Sequence, residues 1–189
     1  WYDPAFHALY DSLMIDAPDG TLQPNMAESW EVSEDGKTVT FVLKEGALFH
    51  SGRPVTAEAV KELYEAIMDP ANASPLASLF TPVESIEATD ERTLVLGMAH
   101  PYYEVVNVVK TGFWALANIE TRNELAEQYG QSGVDGTGPF LFGEWVPGSQ
   151  VTVTRWEEYP GSIVPYFTNK GKAYLDGIPM LVISGGIRR

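Results

Sequence analysis

The sequence predicts a mixed α/β fold, because β-hairpin signals alternate with an amphipathic helical pattern along its 189 residues. Residues 38–43 alternate apolar and polar side chains behind an Asp35-Gly36 turn, which is typical of a hairpin. Apolar residues then recur between positions 60 and 68 at the spacing of one helix face. A chain of this length suffices for one domain or two small ones.

Composition narrows the functional classes. The chain carries 12 basic and 26 acidic residues, a net charge of −14, whereas phosphate binding needs clustered lysine and arginine. We therefore expect no nucleic-acid partner. The absence of cysteine excludes disulfides, cysteine-ligated zinc and cysteine nucleophiles. No apolar run approaches the ~18–20 residues that span a bilayer.

The first residues are expected to form a leading segment, residues 1–24, with a short helix that ends at the turn Pro18-Asp19-Gly20. A strand containing Trp30 follows, and it pairs across the Asp35-Gly36 turn with residues 38–43. The apolar positions assigned to the leading helix region are Ala8, Leu9, Leu13, Met14 and Ile15.

The main helix begins after Thr56, whose hydroxyl can accept a free backbone N–H of the first turn. Asp69-Pro70 ends it, because the residue before a proline is pushed out of the α region. A complete capping box would place Glu at position 59, where this chain has Ala59.

The middle of the chain predicts a second hairpin, formed by residues 83–88 and 93–98. The segment from Pro101 combines β-branched residues with a proline at the first helical position, and we interpret it as a helix rather than a strand. Residues 113–116 are expected to be an aromatic loop or strand. Thr121 and Glu124 form a capping box, which predicts a helix over residues 121–129.

Glycine and proline punctuate the last third of the chain. Residues 140–145 and 150–156 flank Pro147-Gly148, the centre of a type II turn, and predict a third hairpin. Residues 160–171 are expected to be a loop. The apolar run at residues 178–183 fits a strand that is buried on both faces.

Motifs for catalysis or metal binding are weak. His7, His50 and His100 lie far apart in unlike contexts, which favours structural roles over metal ligation. The turn at residues 136–140 lacks a third glycine, and Pro139 removes a backbone donor that a phosphate would need. We predict no metal, no cofactor and no catalytic residue. The abundant carboxylates keep a carboxylate-dependent hydrolase open as an alternative of a different class.

Aromatic residues near loops are the better binding candidates, because such rings can line a ligand groove. Core packing is the commoner role for each of them. The aromatic pair at 113–114 and the turn at 136–140 are the favoured regions. The predicted ligand-binding residues are Tyr10, Phe113, Trp114, Thr137, Gly138 and Trp156.

Six short motifs occur in a fixed order along the chain. They are Asn-x-Ala-Glu-Ser-Trp at 25–30, Asp-Gly at 35–36, Phe-His-x-Gly at 49–52, Thr-Ala-Glu at 56–58, Gly-Thr-Gly-Pro-Phe at 136–140 and Tyr-Leu-Asp at 174–176. As a set, they resemble the family 5 extracellular solute-binding proteins, the peptide- and nickel-binding receptors of ABC importers. The resemblance covers residues 10–183. Ser51 and Ala59 stand where the family commonly has Asp.

The resemblance implies a lobe like that of a type II periplasmic binding protein, with an inserted α+β subdomain. Residues 1–24 and 131–189 would form a partial sheet-based core, and residues 25–130 the inserted subdomain. Family members are much longer, and residues 184–189 depart from the family pattern. The resemblance therefore implies an incomplete receptor, an N-terminal lobe fragment whose second lobe is absent.

The function implied by the resemblance is to capture oligopeptides or dipeptides outside the cytoplasmic membrane and deliver them to the permease of an ABC importer. A nickel chelate or another small solute is the alternative within the family. The location would be periplasmic or extracellular, with a tether to the outer face of the cytoplasmic membrane as one option. These receptors trap ligand between two lobes, so one lobe alone is expected to bind weakly or not at all.

A module that uses this fold for interactions without transport stays open as a third functional class. Exposed strand edges of an incomplete sheet, such as residues 178–183, predict self-association. The reading frame beyond Arg189 would distinguish a fragment from a whole chain.

Overall fold

The leading segment is only partly helical. The computed structural model describes residues 3–181, with the side chains of residues 6–181, and its first helix, α1, spans Asp3–Leu9. Two short strands follow as an antiparallel pair, β1 (Met14–Asp16) and β2 (Leu22–Pro24).

The prediction that helical structure extends to the apolar residues 13–15 is wrong. Tertiary hydrogen bonds keep this stretch out of a helix, because Met26 N donates to Ser12 O (3.2 Å) and Ala27 N donates to Leu13 O (2.8 Å). Backbone groups paired in this way are not available for a helix.

A four-stranded antiparallel sheet forms the centre of the larger core. Its strands are β3 (Ala27–Val32), β4 (Thr38–Leu43), β5 (Val83–Ala88) and β6 (Thr93–Met98), in the order β3-β4-β6-β5. Both hairpins are where the sequence predicts them. Gly36 has a φ of +66° in the first turn, a conformation that glycine adopts without steric cost.

Helix α2 (Ala57–Met68) packs against β5 and β6 and matches its predicted limits. Thr56 is the N-cap, since its Oγ1 accepts from Ala59 N at 3.1 Å. The buried face includes Leu63 and Tyr64, as the periodic pattern predicts.

An aromatic cluster closes this core. The rings of Phe80 and Trp114 stack with centroids 3.7 Å apart, and Tyr64 meets Trp114 edge-on at 5.2 Å. The Tyr64 hydroxyl donates to the Trp114 carbonyl at 3.3 Å, and burial raises the pKa of Tyr64. Residues 112–114 form a 3-10 turn, so the loop alternative for this aromatic stretch is confirmed.

The two remaining helices begin at other residues than the sequence predicts. Helix α3 spans Val105–Val109, because Tyr102 N is held outside the helix by the Gly36 carbonyl (3.0 Å). Helix α4 spans Ile119–Leu125, and its N-cap is Asn118 rather than Thr121.

The predicted capping box fails for a physical reason. Asn118 Oδ1 accepts from Glu120 N (3.0 Å) and Thr121 N (3.4 Å). The Thr121 hydroxyl donates instead to Asp135 Oδ2 at 2.9 Å, so it serves a tertiary contact.

A three-stranded antiparallel sheet ends the described chain, in the order β7 (Phe140–Val146), β8 (Gln150–Arg155) and β9 (Gly177–Leu181). The hairpin around Pro147-Gly148 is confirmed, and residues 160–171 form a loop. The prediction of a strand buried on both faces is wrong, because β9 pairs with β8 alone among the described strands and Leu181 is 65% exposed. Residues 182 and 183 of that prediction lie outside the described residues.

Two apolar cores result. The larger core lies between the four-stranded sheet, α2 and the aromatic cluster. The smaller core, where α1 meets β7 and β8, contains Ala8, Leu9, Tyr10, Ala115, Phe140 and Val153.

The predicted boundaries of the partial core and the inserted subdomain stay a prediction. None of the helices formed by residues 3–181 has the length and apolarity that crossing a membrane requires.

Candidate functional site

A cleft of about 540 Å³ lies beside the end of α1, and its volume falls within the range of small-molecule sites. We call it the main cleft. Three loop regions build most of it: the segment after α1, the turn after α3 and the long loop between β8 and β9. The polar and charged residues that line it are His7, Asp11, Ser12, Asp16, Asn25, Lys110, Thr111, Ser162 and Asn169.

The backbone of Asp11 is fixed on both sides. Its N–H donates to Thr137 Oγ1 at 2.9 Å, and its carbonyl accepts from Leu116 N at 2.8 Å. Asp11 Oδ1 accepts from Asn25 Nδ2 at 3.3 Å. These contacts hold the carboxyl group at the wall of the main cleft.

The second carboxyl oxygen, Asp11 Oδ2, is buried and accepts no hydrogen bond from any of the described residues. Burial raises the pKa of Asp11 to about 6, although the Asn25 hydrogen bond and the charges of Lys44 and His7 act in the opposite direction. A buried polar atom normally has a partner. Asp11 is therefore the group in the main cleft that is best placed to take a donor from a solute.

Lys44 links the end of β4 to the long loop. Its Nζ donates to the Gly161 carbonyl and lies 5.8 Å from the centroid of the Tyr159 ring. Burial lowers the pKa of Lys44, and the charge of Asp11 raises it. Burial also raises the pKa of Tyr159, with the charge of Asp11 acting in the same direction. This cluster places a cation and a phenol near the unpaired carboxyl group.

Two contacts join the other loops to β1. Lys110 Nζ lies 2.9 Å from Asp16 Oδ1, and the Tyr166 hydroxyl donates to the Asp16 carbonyl at 2.9 Å. The ion pair is partly exposed, so it contributes little to stability. Lys110, while paired with Asp16, is a cation that lines the main cleft.

His50 fixes the turn at residues 136–140. Gly136 N donates to His50 Nδ1 (3.2 Å), so His50 Nε2 carries the proton and donates to the Gly138 carbonyl (3.0 Å). The Trp156 ring packs edge-on against His50 with centroids 5.0 Å apart. Burial lowers the pKa of His50. The predicted structural role of His50 is confirmed by these contacts.

The glycines of this turn permit a close backbone approach to α1. A Cβ at Gly136 would lie 2.0 Å from the Leu9 carbonyl oxygen, and one at Gly138 would lie 2.5 Å from the Ala8 carbonyl oxygen. Gly138 N donates to the Leu9 carbonyl at 3.0 Å. The turn thus holds the end of α1 and, through Thr137, the backbone of Asp11.

Residues 21–188 match the model described as bacterial extracellular solute-binding proteins, family 5 Middle. The chain belongs to the family 5 bacterial extracellular solute-binding proteins. The resemblance seen in the six ordered motifs is confirmed.

Curated relatives of this family 5 protein carry several ligand names. It is 30% identical over 145 residues to a probable D,D-dipeptide-binding periplasmic protein of Escherichia coli, a match that covers 75% of this chain and 28% of the relative. The nickel-binding periplasmic protein of Escherichia coli is 28% identical over 155 residues, which covers 81% of this chain and 29% of the relative. The chain spans less than a third of the length of these relatives.

Solved structures confirm the predicted fold class. The PBP AgaA from A. tumefaciens R10, solved with agropinic acid, superposes with a TM-score of 0.81 at 29% identity, over 94% of this chain and 34% of that one. Haemophilus influenzae OppA, solved with the peptide RPPGFSPFR, has a TM-score of 0.75 at 25% identity, over 82% and 34% of the two chains. The mixed α/β structure of the family 5 protein thus covers about a third of each neighbour.

Two of the six residues predicted to bind ligand lie at cavities. Tyr10 lines the main cleft, and its hydroxyl lies 2.9 Å from that of Tyr129. Phe113 is 49% exposed on the 3-10 turn and lines a separate cavity.

The other four predicted residues lie beneath the surface. Trp114 is 0% exposed within the aromatic cluster, and Trp156 is 4% exposed against His50. Thr137 and Gly138 support Asp11 and α1 without lining the main cleft. Direct ligand contact by any of the six residues stays a prediction.

Sequence reasoning missed three polar groups, Asp11 and Tyr159 in the lining of the main cleft and Lys44 beside Tyr159. Asp11 had one usable signal, since it is a carboxylate beside the apolar stretch of residues 13–15. Lys44 and Tyr159 had none, because their contacts join residues more than a hundred positions apart. Within residues 3–181, no three histidine or carboxylate side chains are grouped so that they could hold a metal ion.

Proposed function

We propose that this chain is the solute-facing part of an ABC importer's substrate-binding component, which captures short peptides and delivers them to a membrane permease. The main cleft is the face that contacts the solute. The observation that carries this proposal is Asp11, which lines a cleft of about 540 Å³ and whose buried Oδ2 accepts no hydrogen bond from residues 6–181. Family 5 membership supports a transport role, since members are receptors rather than enzymes.

Peptides suit the chemistry of the main cleft. Its lining offers carboxylates at Asp11 and Asp16, a cation at Lys110 and the amide of Asn25. A peptide presents the complementary set of an ammonium group, a carboxylate and amides. Relatives named for dipeptides and glutathione support this solute class. Names that include the word periplasmic support a location outside the cytoplasmic membrane, where a tether is compatible with the proposal.

A chelated nickel ion is the second candidate solute. A relative named for nickel binding supports it. The described residues hold no group of ligands that could bind a bare ion, so the metal would arrive with its own chelator.

Weak binding can be measured on this 20.8 kDa chain by amide NMR during titration with the dipeptide Ala-Phe. We expect saturable shift changes at residues 10–16, 110–112 and 159–173. N-acetyl-Ala-Phe-amide should bind more weakly, because it lacks the ammonium group that Asp11 would accept. Saturable changes centred on other residues, or equal affinity for the two peptides, would contradict the proposal.

Asp11→Asn should weaken Ala-Phe binding, whereas Glu84→Gln, which removes the same charge from an exposed strand position, should not. A nickel–histidine complex that broadens amides around the main cleft, with no response to peptides, would favour the second candidate. Turnover of esters or glycosides that Asp11→Asn abolishes would instead indicate a carboxylate-dependent hydrolase.

We also infer self-association through the three-stranded sheet. The outer edge of β9 has no partner among the described strands, and nearby apolar side chains are exposed: Tyr174 by 82%, Leu175 by 60% and Leu181 by 65%. An unprotected strand edge with apolar neighbours favours pairing between chains. Sedimentation should show association that increases with concentration. A monomer at all concentrations would rule this out.

A further inference from the structure

A second cavity of about 370 Å³ opens between α1, α2 and α4, and the proposed transport role does not use it. We call it the apolar cavity. Leu63 and Ile67 of α2 line one wall, and Phe113 and Ile119 contribute to the lining as well. Tyr10 lines both this cavity and the main cleft. The volume of the apolar cavity is within the range of small-ligand sites.

The described lining contains one charged side chain, Arg122. Among residues 6–181, no aspartate or glutamate lines the cavity, although the chain has 26 acidic residues. Among the side chains of residues 6–181 and the backbone that the structure describes, no acceptor bonds to the Arg122 guanidinium. Burial raises the pKa of Tyr129, the charge of Asp135 acts in the same direction, and the charge of Arg122 acts against it. The cavity thus combines apolar surface with an unused anion-binding group.

One strained backbone position lies in the lining of this cavity. Two non-glycine residues within the described range have positive φ, Ala73 and Ala126, both at +45°. Ala73 lines the apolar cavity, whereas Ala126 lies outside its lining. Such conformations are unfavourable for residues with a Cβ and cluster at ligand sites.

We propose that the apolar cavity binds a small aliphatic or aromatic monocarboxylate. The hydrocarbon part lies among Leu63, Ile67 and Phe113, and the carboxylate pairs with Arg122. A planar guanidinium matches a carboxylate through two parallel hydrogen bonds, which gives the site its preference for this group. A neutral ligand of the same shape keeps the apolar contacts and loses the ion pair.

The test is an amide NMR titration of the whole chain with 4-phenylbutyrate, alongside the uncharged 4-phenylbutyramide. Saturable changes are expected at residues 66–76, 112–115 and 119–129. The amide should bind about three- to fivefold more weakly, which is the range for a partly exposed ion pair. No saturation by about 10 mM, equal affinity for both probes, or changes centred on the main cleft would overturn the proposal.

Three variants distinguish specific binding in the apolar cavity from long-range attraction between charges. Arg122→Gln should reduce 4-phenylbutyrate affinity about three- to fivefold and leave the amide unaffected. Lys61→Gln removes the same charge from α2 at a residue that does not line the cavity, and it should leave both affinities unchanged. Phe113→Ala should weaken both probes. An equal loss in Arg122→Gln and Lys61→Gln would show long-range attraction only and overturn the proposal.

Discussion

The two cores of this protein are assembled by different interactions. In the larger core, Phe41, Leu94 and Trp114 are all 0% exposed, and their positions follow strand and aromatic patterns that are visible in the sequence. In the smaller core, Leu9 and Tyr10 keep 6% and 8% exposure and depend on glycine contacts and isolated hydrogen bonds. The main cleft lies beside the smaller core, where fewer apolar contacts hold the chain.

The two cores also differ in how far apart along the chain their contacting residues lie. The bonds that build the site join Asp11 to Thr137, Lys44 to Gly161 and His50 to Gly138, across 126, 117 and 88 positions. Such contacts close long loops, and we expect them to open without disrupting the larger core. Regions with few buried apolar contacts open at lower free energy than the rest of a protein. We therefore expect the larger core to supply most of the stability and the smaller core to supply the adaptable face.

The largest expected effect comes from removing the centre of the larger core. Trp114→Ala leaves a cavity between Phe80 and Tyr64 and should lower the free energy of unfolding by about 3–5 kcal/mol. Urea denaturation followed by circular dichroism measures this loss.

The adjacent aromatic residue provides the matched control. Phe113 is 49% exposed, so Phe113→Ala should cost less than about 1 kcal/mol. If both variants lost the same stability, the stacked cluster would not be the centre of the larger core.

Ionisation of Asp11 should have the next largest effect on stability. Replacing Asp11 should stabilise the chain, whereas Trp114→Ala should destabilise it. The pKa of Asp11 is about 6 in the folded chain and 3.8 ordinarily, so the unfolded state binds fewer protons between these values. Stability therefore falls as pH rises through that window, and the loss is complete above about pH 7. The difference between the two pKa values corresponds to about 3 kcal/mol.

Asp11→Asn removes this titration. It should make the chain more stable than the wild type at about pH 7.5, by up to about 3 kcal/mol, with little difference near pH 4. His50 titrates with the opposite sign, since burial lowers its pKa, but it contributes equally to both proteins. Urea denaturation across this pH range measures the difference. Identical pH profiles for the two proteins would show that Asp11 ionises normally.

A steric change in the smaller core should have an intermediate effect. Gly136→Ala places a Cβ 2.0 Å from the Leu9 carbonyl and should cost about 1–3 kcal/mol. Hydrogen exchange should speed up at α1 and the turn at residues 136–140, while β4 and β6 keep their protection.

Gly133→Ala is the control for this change, because its Cβ would meet a single atom at 3.7 Å, an ordinary contact. It should be close to neutral. Faster exchange throughout both cores in Gly136→Ala would mean that they unfold together.

The sequence was sufficient where local chemistry decides the structure. The three hairpins and α2 follow from alternation, turn residues and the Thr56 cap, all within a few positions of one another. It was insufficient where tertiary bonds override the pattern. Residues 12–13 are not helical because residues 26–27 bond to their carbonyls, and β9 leaves the side chains of alternate residues exposed.

The candidate site shows the same limit. The sequence predicts the turn at residues 136–140 as a favoured binding region. It does not show that Thr137 supports Asp11, because the two residues are adjacent only in space. Trp114 and Phe113 are neighbours in sequence with opposite environments, and no local signal distinguishes the buried ring from the exposed one.

The smallest expected effect tests the cap of α4. Asn118→Ala should cost about 1 kcal/mol, because Asn118 Oδ1 accepts the free backbone N–H groups of Glu120 and Thr121. Asn118→Asp keeps an equally good cap and should change stability much less. Thr121→Ser keeps the hydroxyl that bonds to Asp135 and should also be tolerated. Thermal unfolding measures all three. If Asn118→Ala left the stability unchanged, the N-cap of α4 would be Thr121, as the sequence pattern predicts.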